Sequence, residues 1–382
     1  MPQSVEGPRV VSTYVSYRLI ARDIDRSLQK VGTQPAVARE TKYYLDNISK
    51  VKSIDEFVSN TRLFKYAMKA FGLQDMDYAK AFMKKALEGG VKDADSFANK
   101  LSDKRYAEFV RTFNFLAHGE DTTVYNPAQQ GTAQRYQLEA ALAGVAPDNP
   151  TLKAQTKFYL ENITKVTSID EFLADDALYT YAMKAYGLTD KLDDKAFMRK
   201  VLEGGVADPD SFANTQSDGR YADFAAAFDF AGHGEEATTY SLAGKAVVDR
   251  YARQTLEENA GDQNEGVRLA LYFQRKASTL TSPYQILADG ALAEVVRTAL
   301  GLPAELARAD VDKQAALLAK RIDFADFKDP AKLDKFLARF TAMWEIGNGS
   351  ASTAVSPAML LARPVEFGIS TSTLLALQQL RK

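Results

Sequence analysis

The two histidines of the 382-residue chain, His118 and His233, occupy matching positions, and each is followed by Gly-Glu. A histidine beside a glutamate can ligate a metal ion or exchange protons with a substrate. Neither histidine, however, has a second ligand four residues along a helix. We therefore favour a structural role, in which each imidazole lies at the carboxyl end of a helix and the following glycine forms the turn.

Two loops carry paired acids, Asp93 with Asp95 and Asp208 with Asp210. Calcium loops use this spacing, but they also need a further acid, a central glycine and a distal glutamate, which are missing here. We expect these aspartates to cap the following helix. The nearby Glu-Gly-Gly segments lack the Gly-Lys-Ser/Thr of a phosphate loop, so we interpret them as helix ends.

The composition argues against several classes of function. The chain has 48 basic and 50 acidic residues and no cysteine. The missing basic stripe disfavours nucleic-acid binding, and the missing cysteines exclude disulfides and thiolate chemistry. The N-terminus lacks the features of a cleavable secretory signal, and no apolar run is long enough to span a membrane. We predict no catalytic residue, no cofactor and no metal site.

An internal repeat explains why the pentapeptide "SIDEF" occurs twice. Residues 41–57 read "TKYYLDNISKVKSIDEF" and residues 156–172 read "TKFYLENITKVTSIDEF", with 13 of 17 positions identical. A third, more divergent copy follows, in which residues 286–302 correspond to 172–188. The spacing predicts three tandem copies of a unit of about 115 residues.

The repeat predicts four segments of the chain. We expect repeat 1 in residues 1–130, repeat 2 in 131–245 and the divergent repeat 3 in 246–346. A linker and a C-terminal tail occupy 347–382.

Helix signals recur in every copy and predict an all-α fold. Each copy has an N-cap serine followed three residues later by Glu or Gln, which forms a capping box. Each copy also has a glycine where the helix that begins at this serine is expected to end. These residues are Ser53 and Glu56, Ser168 and Glu171, Ser282 and Gln285, and Gly72, Gly187 and Gly301.

Two further predictions concern secondary structure. One helix is expected to start near Asp95 and Ser96 and to carry Phe97, Tyr106, Phe109 and Phe113, because their spacing is helical. Strand-like alternation occurs only in "RPVEFGIS" near the C-terminus.

The tail ends in "STLLALQQLRK", a short amphipathic pattern that follows a linker rich in small and polar residues. Such a short helix is marginal in isolation, so we expect it to dock on the body of the protein or on a partner. Its apolar residues are the predicted partner-binding residues, namely Leu374, Leu375, Leu377 and Leu380.

The segments "VSTYVSYRLIARDIDRSL", "ETKYYLDNISKVKSIDEF" and "YAMKAFGLQDMDYAKAFMKKALEGG" resemble an alphaproteobacterial family known as a domain of unknown function, DUF1217. The likeness covers nearly the whole chain. The family supplies no catalytic residue or cofactor to carry over. Its members often lie among flagellar genes, so the resemblance implies a bacterial protein connected with the flagellum.

We therefore expect a non-enzymatic structural or interaction protein that binds a flagellar protein through repeated helical surfaces. It would either be exported by the flagellar route without a cleavable signal, or act in the cytoplasm as an assembly factor or chaperone. The alternative from another class is an enzyme or small-molecule binder with a site between repeats. Residues that serve the fold should be the same in the different copies, whereas residues of a functional site should differ from their equivalents in the other copies.

Overall fold

The computed structural model describes residues 12–348, and this part of the chain forms helices and turns without a β-strand, which confirms the all-α prediction. The segment "RPVEFGIS" and the four tail leucines lie outside the described residues. In chain order the helices are α1 (Thr13–Ala21), α2 (Ile24–Gly32), α3 (Pro35–Ile48), α4 (Ile54–Ser59), α5 (Thr61–Ala70), α6 (Lys80–Gly89), α7 (Phe97–Lys100), α8 (Arg105–Thr112), α9 (Phe115–His118), α10 (Thr132–Leu142), α11 (Pro150–Ile163), α12 (Ile169–Ala174), α13 (Asp176–Ala185), α14 (Lys195–Glu203), α15 (Arg220–Ala227), α16 (Phe230–His233), α17 (Lys245–Gln263), α18 (Glu265–Ala277), α19 (Pro283–Leu287), α20 (Gly290–Leu300), α21 (Val311–Ala319) and α22 (Pro330–Asn348).

Residue contacts divide the chain into two compact units. The paired-repeat unit, Ala38–Tyr251, contains most of repeats 1 and 2. The third-repeat unit combines Met1–Val37 with Ala252–Lys382. This division is discontinuous along the chain, and the predicted segment boundaries at residues 130, 245 and 346 stay a prediction.

The serine caps form as predicted. In repeats 1 and 2, however, the glutamate of the capping box binds the amide of the residue before the serine. The Ser53 hydroxyl accepts a hydrogen bond from the Glu56 amide at 3.2 Å, and Ser168 accepts one from Glu171 at the same distance. The Glu56 carboxylate accepts from the amide of Lys52, one residue before the cap, at 2.7 Å. The prediction that this carboxylate binds the cap amide itself was wrong for repeat 1.

The third copy forms the complete box, and the predicted glycine ends are confirmed in all three copies. The Gln285 side chain accepts from the Ser282 amide at 3.2 Å. Gly72, Gly187 and Gly301 have φ angles of 68°, 64° and 62°, a left-handed conformation that glycine adopts at low cost. The single helix expected between each serine and its glycine was wrong, because a new N-cap side chain starts a second helix in every copy: α4 is followed by α5, α12 by α13 and α19 by α20.

The single helix expected through Phe97 and Phe113 is broken into α7 and α8. The Asp103 carboxylate accepts a hydrogen bond from the Arg105 amide at 3.0 Å and also pairs with the Arg105 guanidinium. A short polar side chain that binds its own backbone two residues on favours a turn over a continuous helix. The periodic spacing therefore spans two short helices.

Repeats 1 and 2 have the same aromatic core. Phe57 lies 4.5 Å from Phe113 between ring centroids, and the matching pair Phe172 and Phe228 is also 4.5 Å apart. All four rings are fully buried. Aromatic pairs at this distance contribute about 0.5–1.5 kcal/mol beyond the burial of their area.

A further helix, here called the closing helix, completes the core of each repeat in the paired-repeat unit. In repeat 2 it is α10, whose Tyr136 ring lies 3.9 Å from the Tyr181 ring. In repeat 1 it is residues 245–251 of α17, whose Tyr251 ring lies 3.9 Å from the Tyr66 ring. The closing helix of repeat 1 thus comes from far along the sequence.

An arginine on each closing helix pairs with a carboxylate of the repeat that it closes. Arg135 pairs with Asp223 at 3.1 Å, and Arg250 pairs with Glu108 at 3.2 Å. In the third-repeat unit α1 has the corresponding role, because Arg18 pairs with Asp334 of α22 at 2.6 Å. The neighbouring Tyr17 is buried in the core of that unit.

Glu257 forms a buried ion-pair network within the third-repeat unit. Only 2% of this residue is exposed, and its carboxylate accepts hydrogen bonds from Arg253 at 2.9 Å and from Arg275 at 2.8 Å. Arg253 also donates to the carbonyl of Leu271 at 3.0 Å. A buried carboxylate is tolerable only with such partners.

We predict that Glu257→Gln lowers the free energy of unfolding by about 3 kcal/mol, because two mostly buried guanidiniums lose their counter-charge. The matched control is Glu161→Gln, an exposed residue of α11, for which we expect a change within about 0.5 kcal/mol. Urea unfolding followed by circular dichroism measures both variants. Equal effects of the two substitutions would contradict a structural role for the network.

Candidate protein-binding groove

Repeat 2 has an open groove of about 800 Å³ between α10, α11 and α13, here called the repeat-2 groove. Its largest exposed apolar side chain is Phe158, which is 48% exposed. The complete lining is Tyr136, Pro150, Thr151, Ala154, Gln155, Phe158, Asp176, Ala177, Thr180, Tyr181 and Lys184.

Stacked tyrosines form the floor of the repeat-2 groove. The Tyr181 ring lies between those of Tyr136 and Tyr159, at 3.9 and 4.2 Å between centroids. Tyr136 donates a hydrogen bond to Gln155 at 2.7 Å, and the Tyr159 hydroxyl donates to a backbone carbonyl. Burial raises the pKa of Tyr181 to about 12. The floor is therefore rigid and neutral.

The matching surface of repeat 1 is covered by charged side chains. Arg62 lies over the Tyr43 ring, 3.8 Å from its centroid, and donates two hydrogen bonds to Glu40 at 2.8 and 3.2 Å. The Arg62 guanidinium holds the pKa of the Glu40 carboxyl below its usual value. This stacked, bidentate arrangement occupies the space that is open in repeat 2.

The difference arises from five substitutions between the repeats. The charged residues Arg39, Glu40, Arg62 and Lys65, together with Tyr43, become Ala154, Gln155, Ala177, Thr180 and Phe158. Sequence analysis missed this site because it weighed only the conservative differences between the copies. The informative signal was the loss of charge at positions that share one surface.

The rim of the repeat-2 groove carries charge at both ends. Asp176 pairs with Lys195 at 2.7 Å. Lys184 is exposed and forms no ion pair with any residue between 12 and 348. The free ammonium group is available to a carboxylate of a bound molecule.

The two histidines lie where the structural interpretation placed them, at the last residues of α9 and α16. Each ring stacks on a tyrosine, His118 on Tyr125 and His233 on Tyr240, both at 3.6 Å between centroids. Within residues 12–348, no three His, Asp or Glu side chains are grouped so that they could hold a metal ion.

The loop aspartates do not cap the following helix, so that expectation was wrong. Asp93 instead accepts a hydrogen bond from the Asp95 amide at 2.8 Å, and Asp208 repeats the contact with Asp210 at 2.9 Å. The cap of α7 is Ser96, because the preceding turn places the serine next to the first free amides.

Asparagine closes the same loop. The Asn99 side-chain amide donates to the carbonyls of Val91 and Asp93, at 3.0 and 2.7 Å. Asn214 makes the matching contacts in repeat 2. The carbonyl oxygens that a cation would use are thus already hydrogen-bonded.

His118 should make folding sensitive to acid. Burial lowers the pKa of its imidazole below the usual 6.5, and the Nδ1 atom is buried without a hydrogen-bond partner in the described part of the chain. The unfolded chain therefore takes up this proton at a higher pH than the folded chain. The resulting stability is present above pH 6.5 and is lost as the pH falls towards the pKa of the folded state.

We predict that His118→Phe reduces the loss of unfolding free energy between pH 7 and pH 5, because phenylalanine keeps the stack on Tyr125 and does not titrate. Urea unfolding at several pH values measures this slope. Proton NMR of the wild type should show the His118 ring titrating below pH 6.5. Titration at or above 6.5 would contradict this account.

Between residues 12 and 348, no helix combines the length with the apolar composition that a membrane-spanning segment requires. The predicted partner-binding leucines, Leu374, Leu375, Leu377 and Leu380, lie outside the described residues, so their role stays a prediction.

Comparison with known proteins identifies the family. The model of "Protein of unknown function (DUF1217)" matches twice, at residues 70–192 and 185–333, which together are more than half of the chain. No curated protein matches. The crystal structure of protein AGR_C_984 from Agrobacterium tumefaciens is 37% identical in sequence, with a TM-score of 0.52, over 90% of this chain and 99% of that chain. The chain therefore belongs to the DUF1217 family.

Proposed function

We propose that the protein is a non-enzymatic interaction protein that serves the assembly or function of the bacterial flagellum, and that a protein partner binds in the repeat-2 groove. The observation that carries this proposal is the difference between the repeats. Their cores have the same geometry, yet Arg62 and Glu40 cover one surface while the other is open. If only the fold constrained these positions, we would expect the same kind of side chain on the surface of both repeats.

The dimensions of the groove suit a helix of the partner. Its walls run from Pro150 to Phe158 on α11 and from Asp176 to Lys184 on α13. Each wall is about 12 Å long at 1.5 Å per residue, which is about two turns of helix. An amphipathic helix would place its apolar side chains against Phe158 and the tyrosine floor. An acidic residue near its end would pair with Lys184.

The chemistry of the floor favours binding over catalysis. Tyr136 and Tyr181 are both hydrogen-bonded to neighbouring side chains, and burial raises the pKa of both phenols. At neutral pH they stay protonated, so they are poorly suited to act as general bases. The small part of each ring that lines the groove instead offers an apolar surface with a polar tip, as is common where proteins bind one another.

The flagellar context of the proposal comes from the family, whose members often lie among flagellar genes. It has two variants. In the first the protein is exported through the flagellar apparatus and joins the axial structure. In the second it stays in the cytoplasm as an assembly factor or chaperone. The same groove would serve either variant, since both require a protein partner.

Site-specific photo-crosslinking tests the proposal in the native host. A photoreactive amino acid replaces Phe158 in one strain and the equivalent Tyr43 of repeat 1 in a matched control strain. We predict a discrete adduct from position 158 and none from position 43. Ala177→Arg should abolish the adduct, because the arginine of repeat 1 would then occupy the groove.

Two results would oppose the proposal. Equal adducts from positions 158 and 43 would show that the groove is not a distinct site. An unchanged adduct in a strain without flagellar structural genes would remove the flagellar part. The size of the adduct gives the mass of the partner, and mass spectrometry identifies it.

A further inference from the structure

The third-repeat unit has a groove of about 530 Å³, here called the α1 groove. It lies between α1, the carboxyl end of α18 and the start of α22, and its lining belongs to this one unit. The apolar part of the lining includes Tyr17, Ala21, Phe327 and Leu333. A groove of this volume is large enough to hold a ligand with several side chains.

Three cations and one carboxylate line the α1 groove. The carboxylate, Asp334, pairs with Arg18 at 2.6 Å and accepts a hydrogen bond from the Tyr14 hydroxyl at 3.3 Å. Arg22 and Lys328 are exposed and form no ion pair with any residue between 12 and 348. Because Arg18 already pairs with the carboxylate, two positive charges of the lining have no counter-charge in the described part of the chain.

The second arginine of α1 is absent from the other closing helices. Arg18, Arg135 and Arg250 correspond to one another, because each pairs with a carboxylate of the repeat that its helix closes. Four residues further along, α1 has Arg22, whereas α10 has a glutamate and α17 has a glutamine. The docking of a closing helix therefore does not require a cation at this position.

The lysine of the α1 groove is also specific to the third repeat. Asp103, Asp218 and Asp329 correspond to one another, since each accepts a hydrogen bond from the amide two residues later, at 3.0, 3.0 and 2.8 Å. The residue before this aspartate is a serine in repeats 1 and 2 and Lys328 in the third. Lys328 lies just before α22, where the helix dipole disfavours a cation. The fold therefore gives no reason for this lysine.

The α1 groove combines groups that suit an acidic peptide. Guanidinium and ammonium groups bind carboxylates, and an apolar side chain of the peptide would leave water against Ala21 and Leu333. Gln274 and Ser278 of α18 add hydrogen-bonding side chains for a peptide backbone. A nucleic acid fits less well, because two unpaired cations would neutralise only about two phosphates.

We propose that the α1 groove binds an acidic peptide segment of a partner protein. Two carboxylates of the segment pair with Arg22 and Lys328, and an apolar side chain beside them packs on Ala21 and Leu333. This groove belongs to a different unit from the repeat-2 groove, and the inference does not rest on the proposed function.

A displayed library of random peptides tests this proposal on the full-length protein. Clones are depleted on the Arg22→Ser, Lys328→Ser variant and then selected on the wild type, and enriched peptides are synthesised with a fluorescent label. We expect these peptides to combine paired Asp or Glu residues with an apolar residue. Anisotropy should show saturable binding that weakens about tenfold in the double variant, because each exposed charge pair contributes a few-fold. The affinity should also fall as salt is raised.

The matched control is Lys313→Ser with Lys320→Ser, which removes two exposed cations of the same unit that do not line the groove. It should leave the affinity unchanged, and both double variants should keep the wild-type circular dichroism. Failure to enrich acidic peptides, or an equal loss of affinity in the control, would overturn the proposal. Binding of a labelled oligouridylate that the Arg22→Ser, Lys328→Ser variant loses would also overturn it, because the groove would then recognise phosphates.

Discussion

The architecture depends on the docking of a closing helix on each repeat. The helices of a repeat are short, and short helices are stable only when their apolar faces are packed. The phenylalanine cluster supplies part of that packing, but the tyrosine stack is completed only by Tyr136 in repeat 2 and by Tyr251 in repeat 1. An arginine–carboxylate pair beside each tyrosine fixes the position of the closing helix along its axis.

Because the closing helix must dock in the same way on both repeats, their interiors are alike, while their surfaces differ. The core geometry, the caps and the closing contacts agree between repeats 1 and 2 to within a few tenths of an ångström. The side chains on the surface of the repeats are not constrained in this way, since Arg62 covers Tyr43 in repeat 1 whereas the equivalent Ala177 lines an open groove with Phe158 in repeat 2. A surface that is free to change without cost to the fold is where duplicated copies can acquire different partners.

Local features of the fold could be predicted from the sequence. The serine caps and the glycine helix ends depend on residues within a few positions of one another, so a short stretch of sequence specifies them. The break between α7 and α8 was missed, because apolar periodicity outweighed the turn formed by Asp103 and Arg105. The closing role of Tyr251 is not visible in sequence, because its partner Tyr66 lies far away along the chain.

Sequence analysis missed the repeat-2 groove for a different reason. Its signal was present in the aligned repeats as the change from Arg62, Glu40 and Tyr43 to Ala177, Gln155 and Phe158. Whether these positions share one surface depends on how α11 and α13 pack, and only the structure supplies that. The five substitutions, scattered over 27 residues, then become one site.

The central claim is that function lies where the repeats differ, and exchange of the two surfaces tests it most directly. A native-host strain would carry Ala154→Arg, Gln155→Glu, Phe158→Tyr, Ala177→Arg and Thr180→Lys, which rebuilds the covered surface in repeat 2. The control strain would carry Arg62→Ala in repeat 1. Swimming in soft agar is measured with protein levels matched. The account predicts that the first strain loses motility and the second keeps it; normal swimming of the first strain would contradict it.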